Sequence, residues 1–121
     1  MVKYFFDSYA FVEIMKENPR YFVYSYEPVS ITMLNLLEIY AFLVKEKGEA
    51  FAEGIYPRLK KCVVELDDEV IKKAINLKIK QSKNNLSYAD CIGYAYALKN
   101  KMIFLTGDKE FEKMKNVRFV K

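Results

Sequence analysis

Two apolar rhythms alternate along this chain. Short, mostly unbroken apolar runs lie at 2–6, 29–31, 62–66, 102–106 and 117–120, and each is bounded by a polar residue, glycine or proline. Such runs predict strands. Between them the apolar residues recur at helical spacing. Over 8–17, Ala10, Phe11, Ile14 and Met15 fall on one stripe. Pro19 after Asn18 predicts a second short helix over 19–25. Thr32 caps a helix that runs to Lys47 and stops at Gly48. A further helix covers 49–61, where Pro57 predicts a kink or break. Asp67 caps a helix over 68–82 whose buried side is Val70, Ala74, Ile75 and Leu77. Lys83-Asn84-Asn85 is a turn, and Ser87 caps a helix reaching about Asn100. A short helix over 108–114 separates the last two strands.

Strands that alternate with helices predict a mainly parallel sheet covered on both faces, an α/β architecture. The 121 residues suit one domain, spanning 1–121, with no repeat or linker to divide it. In folds of this kind, sites form beyond the carboxyl ends of strands. Two acids occupy that place: Asp7 directly after the first run and Asp108 two residues after the fourth.

Composition then narrows the chemistry. There is no histidine, which excludes Ser-His-Asp hydrolases, Cys-His proteases and histidine-pair ribonucleases. Cys62 and Cys91 stand too far apart for a zinc knuckle or a redox pair and read as buried or half-buried thiols. No apolar run approaches the ~20 residues needed to span a bilayer. Lys3, Asp7 and Glu13 interrupt any secretory signal, so the cytoplasm is the expected location. Net charge is +4. If four acids were neutralised by metal, 20 basic residues would face 12 acids, a surplus of eight. That balance favours a polyanion, although a lysine-rich and glutamate-rich surface also serves simple solubility.

The acids that stand among apolar residues are Asp7, Glu38, Asp90 and Asp108. Each has a structural alternative. Asp7 and Asp108 suit helix caps, and Asp90 suits the third position of a capping box begun by Ser87. Glu38 is harder to assign so: Leu36, Leu37, Ile39, Ala41 and Phe42 surround it, which predicts a mostly apolar, little-exposed face. Two carboxylates ~5 Å apart repel by roughly 3 kcal/mol at an effective dielectric near 20. If the four converge, a hard divalent cation with oxygen ligands, Mg2+ or Mn2+, is the natural partner, held as one or two ions. Such an ion activates water and stabilises a pentavalent phosphorus without any histidine. The second acidic group, Glu65, Asp67, Asp68 and Glu69, sits at a predicted helix start, where acids belong on dipole grounds alone. Of the 19 tyrosines and phenylalanines, Tyr94 lies one turn after Asp90 on the same face and is the candidate substrate contact; the rest read as core.

Four segments, Phe6-Asp7-Ser8, Leu37-Glu38, Ser87-Tyr88-Ala89-Asp90 and Leu105-Thr106-Gly107-Asp108-Lys109-Glu110-Phe111, resemble the PIN domain in order and spacing over nearly the whole chain. The size resembles that of a stand-alone VapC-like toxin. The resemblance implies a three-layer α/β/α sandwich with a central, mainly parallel sheet, and a metal-dependent endoribonuclease. It implies Asp7, Glu38, Asp90 and Asp108 as Mg2+ or Mn2+ ligands, with Ser8 and Thr106 as supporting hydroxyls. It further implies an RNA substrate, a cognate antitoxin and a homodimer. Tyr9 stands where a small residue is common, and Gly93, Tyr94 and Tyr96 replace a small, alanine-rich stretch, which bears on what enters the groove.

Two other classes compete. A non-catalytic PIN-like module binding RNA or protein would keep the fold without the ion. A carboxylate phosphatase or phosphoacceptor domain is disfavoured: Tyr9 occupies the place of the second aspartate in haloacid-dehalogenase phosphatases, and receiver domains need paired acids where this chain offers Asp7 alone.

Overall fold

A computed structural model describes residues 1–121. Its spine is a parallel sheet of β1 (Tyr4–Phe6), β2 (Ile103–Thr106) and β3 (Val117–Phe119), in the order β1-β2-β3. Phe5 pairs with Phe104 and Phe6 with Leu105 across the first ladder. Side chains alternate across a strand, and here the alternation divides the core in two. Phe5 and Phe104 enter one cluster, with Val70 and Ala74, Cys91 and Tyr94. Phe6 and Leu105 enter the other, with Ala10, Ile39, Leu43 and Leu59. The sheet is therefore the middle of three layers. Helices α1 (Ser8–Met15), α2 (Met33–Lys47) and α3 (Glu49–Lys61) cover one face; α4 (Asp68–Lys80) and α5 (Tyr88–Lys99) cover the other.

The predicted caps hold. Asp7, Thr32, Asp67 and Ser87 each accept a backbone N–H with the side chain at the start of α1, α2, α4 and α5. The segment 19–26 is a 3-10 helix begun by Asn18 and Pro19, and the predicted helix at 108–114 shortens to a 3-10 turn, Lys109–Phe111. Helix α4 ends at Lys80, with Gln81 as its cap. Ile75, expected inside, is exposed instead.

Two predicted strands contract to a single bridge. Segments 29–31 and 62–66 meet only at Ile31 and Val63. Three hydrogen bonds tie the first of them between β1 and the second: Phe6 N–H to Ser30 O, Ile31 N–H to Cys62 O, and Val64 N–H to Ile31 O. The cause is local. Pro28 cannot donate to a ladder, and Thr32 already caps α2, so only the short stretch 29–31 is left to pair, and within it Ile31 alone bridges to Val63. Pro57 also does less than expected, since α3 runs unbroken through it. Pro57 and Glu53, whose carbonyl loses its donor, both face solvent, where water replaces the missing bond. On the opposite face Gly93 lets α5 approach the sheet; a Cβ there would stand 2.8 Å from the Phe5 ring. Both cysteines are free, Cys91 buried and Cys62 half-buried.

Candidate functional site

The carboxyl ends of β1 and β2 lie side by side, and the chain leaves each through an acid. Asp7 follows Phe6 and opens α1; Asp108 follows Thr106 and Gly107 and opens the 3-10 turn. Asp90 arrives in the first turn of α5 and Glu38 in the second turn of α2. All four line one open depression of about 550 Å3, together with Ser8 and Ser87. The topology thus gathers residues from across the chain at one end of the sheet, as expected for a parallel α/β fold.

Within the depression the four acids differ. Asp7 is buried, at 2% exposure. Its Oδ1 accepts the Ala10 N–H at 2.7 Å and its Oδ2 accepts the Thr106 hydroxyl. Burial pushes its pKa up to about 7, against the lowering effect of those two bonds, and Asp90 and Asp108 raise it further. Thr106 Oγ1 in turn accepts the Asp108 N–H at 3.0 Å, so one hydroxyl ties the two strand-end acids together. Asp108 Oδ1 accepts the Glu110 N–H at 3.0 Å. Asp90 forms the capping box with Ser87: its Oδ2 accepts the Ser87 N–H at 2.9 Å, and Ser87 Oγ accepts the Asp90 N–H at 3.0 Å. Burial raises the Asp90 pKa, those bonds oppose the rise, and the charges of Asp108 and Glu38 add to it.

Capping and site duties are therefore compatible: Asp7 and Asp108 cap helices, Asp90 completes a capping box, and all three still border the depression. No lysine or arginine lies within salt-bridge distance of any of the four. They face one another uncompensated. No three of them stand close enough to form a ready-made metal cluster. The donor set nonetheless fits a hard divalent cation, being four carboxylates around one opening, none of them in a salt bridge. Asp7, Glu38, Asp90 and Asp108 are the residues that could hold it.

Two sequence expectations need correction. Glu38 is exposed, not buried on an apolar face. Helix α2 buries Asn35, Leu36, Ile39 and Leu43, which leaves Leu37 and Glu38 on the solvent side of the boundary. Tyr94 is no substrate contact. It is 4% exposed, its ring packs on Phe104 and Phe111, and its hydroxyl donates to Lys115 O at 2.7 Å. Tyr96 likewise packs on Phe5. One turn along α5 carries a side chain from the rim of the sheet into its core.

One residue escaped the sequence altogether. Asn35 is 2% exposed, and its Oδ1 accepts from the Thr32 N–H at 2.9 Å and the Thr32 hydroxyl at 3.0 Å. That backbone N–H needs an acceptor, which fixes the amide orientation and turns Nδ2 toward Ser8 Oγ at 3.0 Å. Ser8 then gives its own proton to Glu38 Oε1 at 2.5 Å. The chain Thr32–Asn35–Ser8–Glu38 orients the one exposed carboxylate. Its visible trace in the sequence is an amide three residues after a capping threonine.

The PIN domain family model matches residues 4–117. The chain belongs to the PIN-domain family. Solved structures share its fold across almost the full length at low identity. A toxin–antitoxin complex from Klebsiella pneumoniae superimposes with a TM-score of 0.75 at 15% identity, covering 96% of both chains. VapC20 of Mycobacterium tuberculosis, a toxin that cleaves the sarcin–ricin loop, gives 0.75 at 17% identity, covering 98% of this chain and 97% of that one. VapBC2 of Rickettsia felis, bound to a DNA fragment from its promoter, gives 0.70 at 14% identity over 100% of each. No curated protein sequence matches. No helix is long and apolar enough to cross a membrane.

Proposed function

We propose that this PIN-domain protein is a metal-dependent endoribonuclease and the toxin of a VapBC-type toxin–antitoxin pair. The observation that carries the reading is the convergence of Asp7, Glu38, Asp90 and Asp108 on one depression without a single basic partner. Four acids kept unpaired, one of them buried, cost the fold stability and call for a role. These acids would hold one or two Mg2+ or Mn2+ ions, which supply an activated water and charge neutralisation at phosphorus when bound. The protein's own part is orientation. Thr106 holds Asp7 and Asp108 in register, Ser8 aims Glu38, and the Ser87 N–H fixes Asp90. The similarity to VapC20, a sarcin–ricin-loop-cleaving toxin, supports RNA as substrate, and the similarity to toxin–antitoxin complexes supports a cognate antitoxin as partner; assembly as a homodimer and action in the cytoplasm belong to the same proposal.

The test is direct. Purified protein cleaves RNA with Mn2+ or Mg2+, chelator stops it, and Asp7→Asn or Asp90→Asn lowers the rate at least ~100-fold, the usual scale for loss of a transition-state contact. Cleavage at the wild-type rate in either variant would refute the site. A binding module without catalysis is the second reading, favoured by the absence of a preassembled three-ligand cluster. Calorimetric titration with Mn2+ separates the two, because only the nuclease takes up the ion.

A further inference from the structure

We infer that Lys121, seated on the ring of Tyr9, and Lys109 form a phosphate-binding rim that holds the RNA backbone beside the four carboxylates. The inference deepens the proposed function and rests on it for the identity of the polyanion.

An acidic depression by itself repels RNA, so something at its edge must offset the repulsion. Among the residues lining this one, the cations are Lys109 and Lys121. Neither forms a salt bridge with any carboxylate. Two ammonium groups that border four acids and pair with none are free to meet phosphates. Lysine suits this task as a mobile point charge with three donors.

The placement of Lys121 is built. Its Nζ stands 5.4 Å from the centroid of the Tyr9 ring, within cation–π range. The other cation–π pairs, Lys78 on Tyr88 and Arg118 on Tyr4, involve no residue of the depression. Tyr9 fills space that only glycine leaves open: a Cβ at Gly107 would come 2.1 Å from its Cε1. Behind Tyr9 lies Tyr21, with ring centroids 6.5 Å apart. The Tyr21 hydroxyl donates to Val120 O, and the Val120 N–H donates to Thr106 O at 2.9 Å. The contacts close a ring from Gly107 through Tyr9, Tyr21 and Val120 to Lys121. Thr106, which anchors Asp7, thus also anchors the segment that carries the lysine.

The experiment uses a fluorescein-labelled single-stranded RNA oligonucleotide in excess EDTA, where affinity is read by anisotropy without cleavage. Lys121→Gln and Lys109→Gln each weaken binding several-fold and each reduce the slope of log K against log salt by about 0.7. Tyr9→Leu reproduces part of the Lys121→Gln loss and adds nothing to it in the double variant. Lys72→Gln on α4, a charge-matched control outside the depression, changes little. The rim is refuted if Lys121→Gln and Lys109→Gln bind as the wild type does, or if Lys72→Gln costs as much as they do. Unchanged lysine variants beside an inactive Asp7→Asn would remove the rim and leave the nuclease. Lysine-dependent binding without metal-dependent cleavage would do the reverse.

Discussion

Two groups of acids start helices in this protein, and they live under opposite electrostatics. At the start of α4, Asp67 and Glu69 are exposed and satisfied. Lys99 reaches both, and Lys73 pairs with Glu69 at 2.8 Å. Hydrogen bonds from these lysines lower both carboxyl pKa values. In the depression at the sheet end, Asp7 caps α1 and Asp90 completes the capping box of α5, yet no cation pairs with either and burial drives their pKa values up. Residue type and local duty are the same. Countercharge and desolvation make the difference, and they mark one group as structural and the other as held ready for something positive.

The sharpest way to break the contrast is to remove the buried charge. Asp7 has a folded pKa of about 7, above the ordinary carboxylate value. Between roughly pH 4 and pH 7 the folded protein therefore keeps a proton that the unfolded chain has lost. Stability falls as pH rises through that window and levels off above it. At ~1.4 kcal/mol per unit, the full penalty is about 4 kcal/mol. Without metal at pH 8, Asp7→Asn is expected to be more stable than wild type by an amount of that order in urea unfolding. The gain fades toward pH 4. An equal or lower stability of the variant at pH 8 would mean that Asp7 is compensated after all. The same substitution that stabilises the fold is the one expected to abolish cleavage, a trade typical of functional sites.

Next in size is the relay to Glu38. Ser8→Ala removes the donor to the exposed carboxylate, and Asn35→Asp keeps the acceptor for the Thr32 N–H while removing the donor to Ser8. Each should weaken Mn2+ binding about 10-fold in calorimetry, the low end for groups that orient a ligand. Because Asn35 acts through Ser8, the double variant should lose no more than either single one. Additive losses would show that Asn35 serves only the helix cap.

Legibility in the sequence followed range. Caps are written in three or four residues, so Asp7, Thr32, Asp67 and Ser87 were readable, and with them most helix starts. The four acids were readable because their positions relative to strands and helices are local facts. One failure was local, and the rest depended on distant partners. The apolar runs at 29–31 and 62–66 look like strands, but pairing was limited by Pro28 and by the cap at Thr32. Tyr94 shares a helical face with Asp90, yet spacing does not say that the sheet covers the next turn. Glu38 sits among apolar neighbours of which Leu37 and Ala41 face solvent. Asn35 and the Tyr9–Lys121 pair needed contacts spanning about 27 to 112 residues of sequence, which no local pattern encodes.

The smallest effect belongs to the compensated group, and it tests the contrast from the other side. Lys99→Met strips the bridging cation from Asp67 and Glu69. Exposed pairs contribute little, so the melting temperature should fall only slightly at low salt and not measurably at ~1 M, where the Debye length is about 3 Å. The folded pKa values of both acids are depressed, so their contribution is present above the ordinary carboxylate range and is lost as pH falls through the lowered values. The wild-type advantage over Lys99→Met should therefore shrink on acidification, whereas the advantage of Asp7→Asn over wild type shrinks because the wild type itself grows firmer. Mn2+ should leave the Lys99→Met deficit unchanged, since two exposed carboxylates freed at a helix start still lack the enclosing donors of the strand-end depression. A deficit cancelled by Mn2+ would show that an unpaired acidic helix start is enough to bind the ion, and burial at the sheet end would lose its explanatory place.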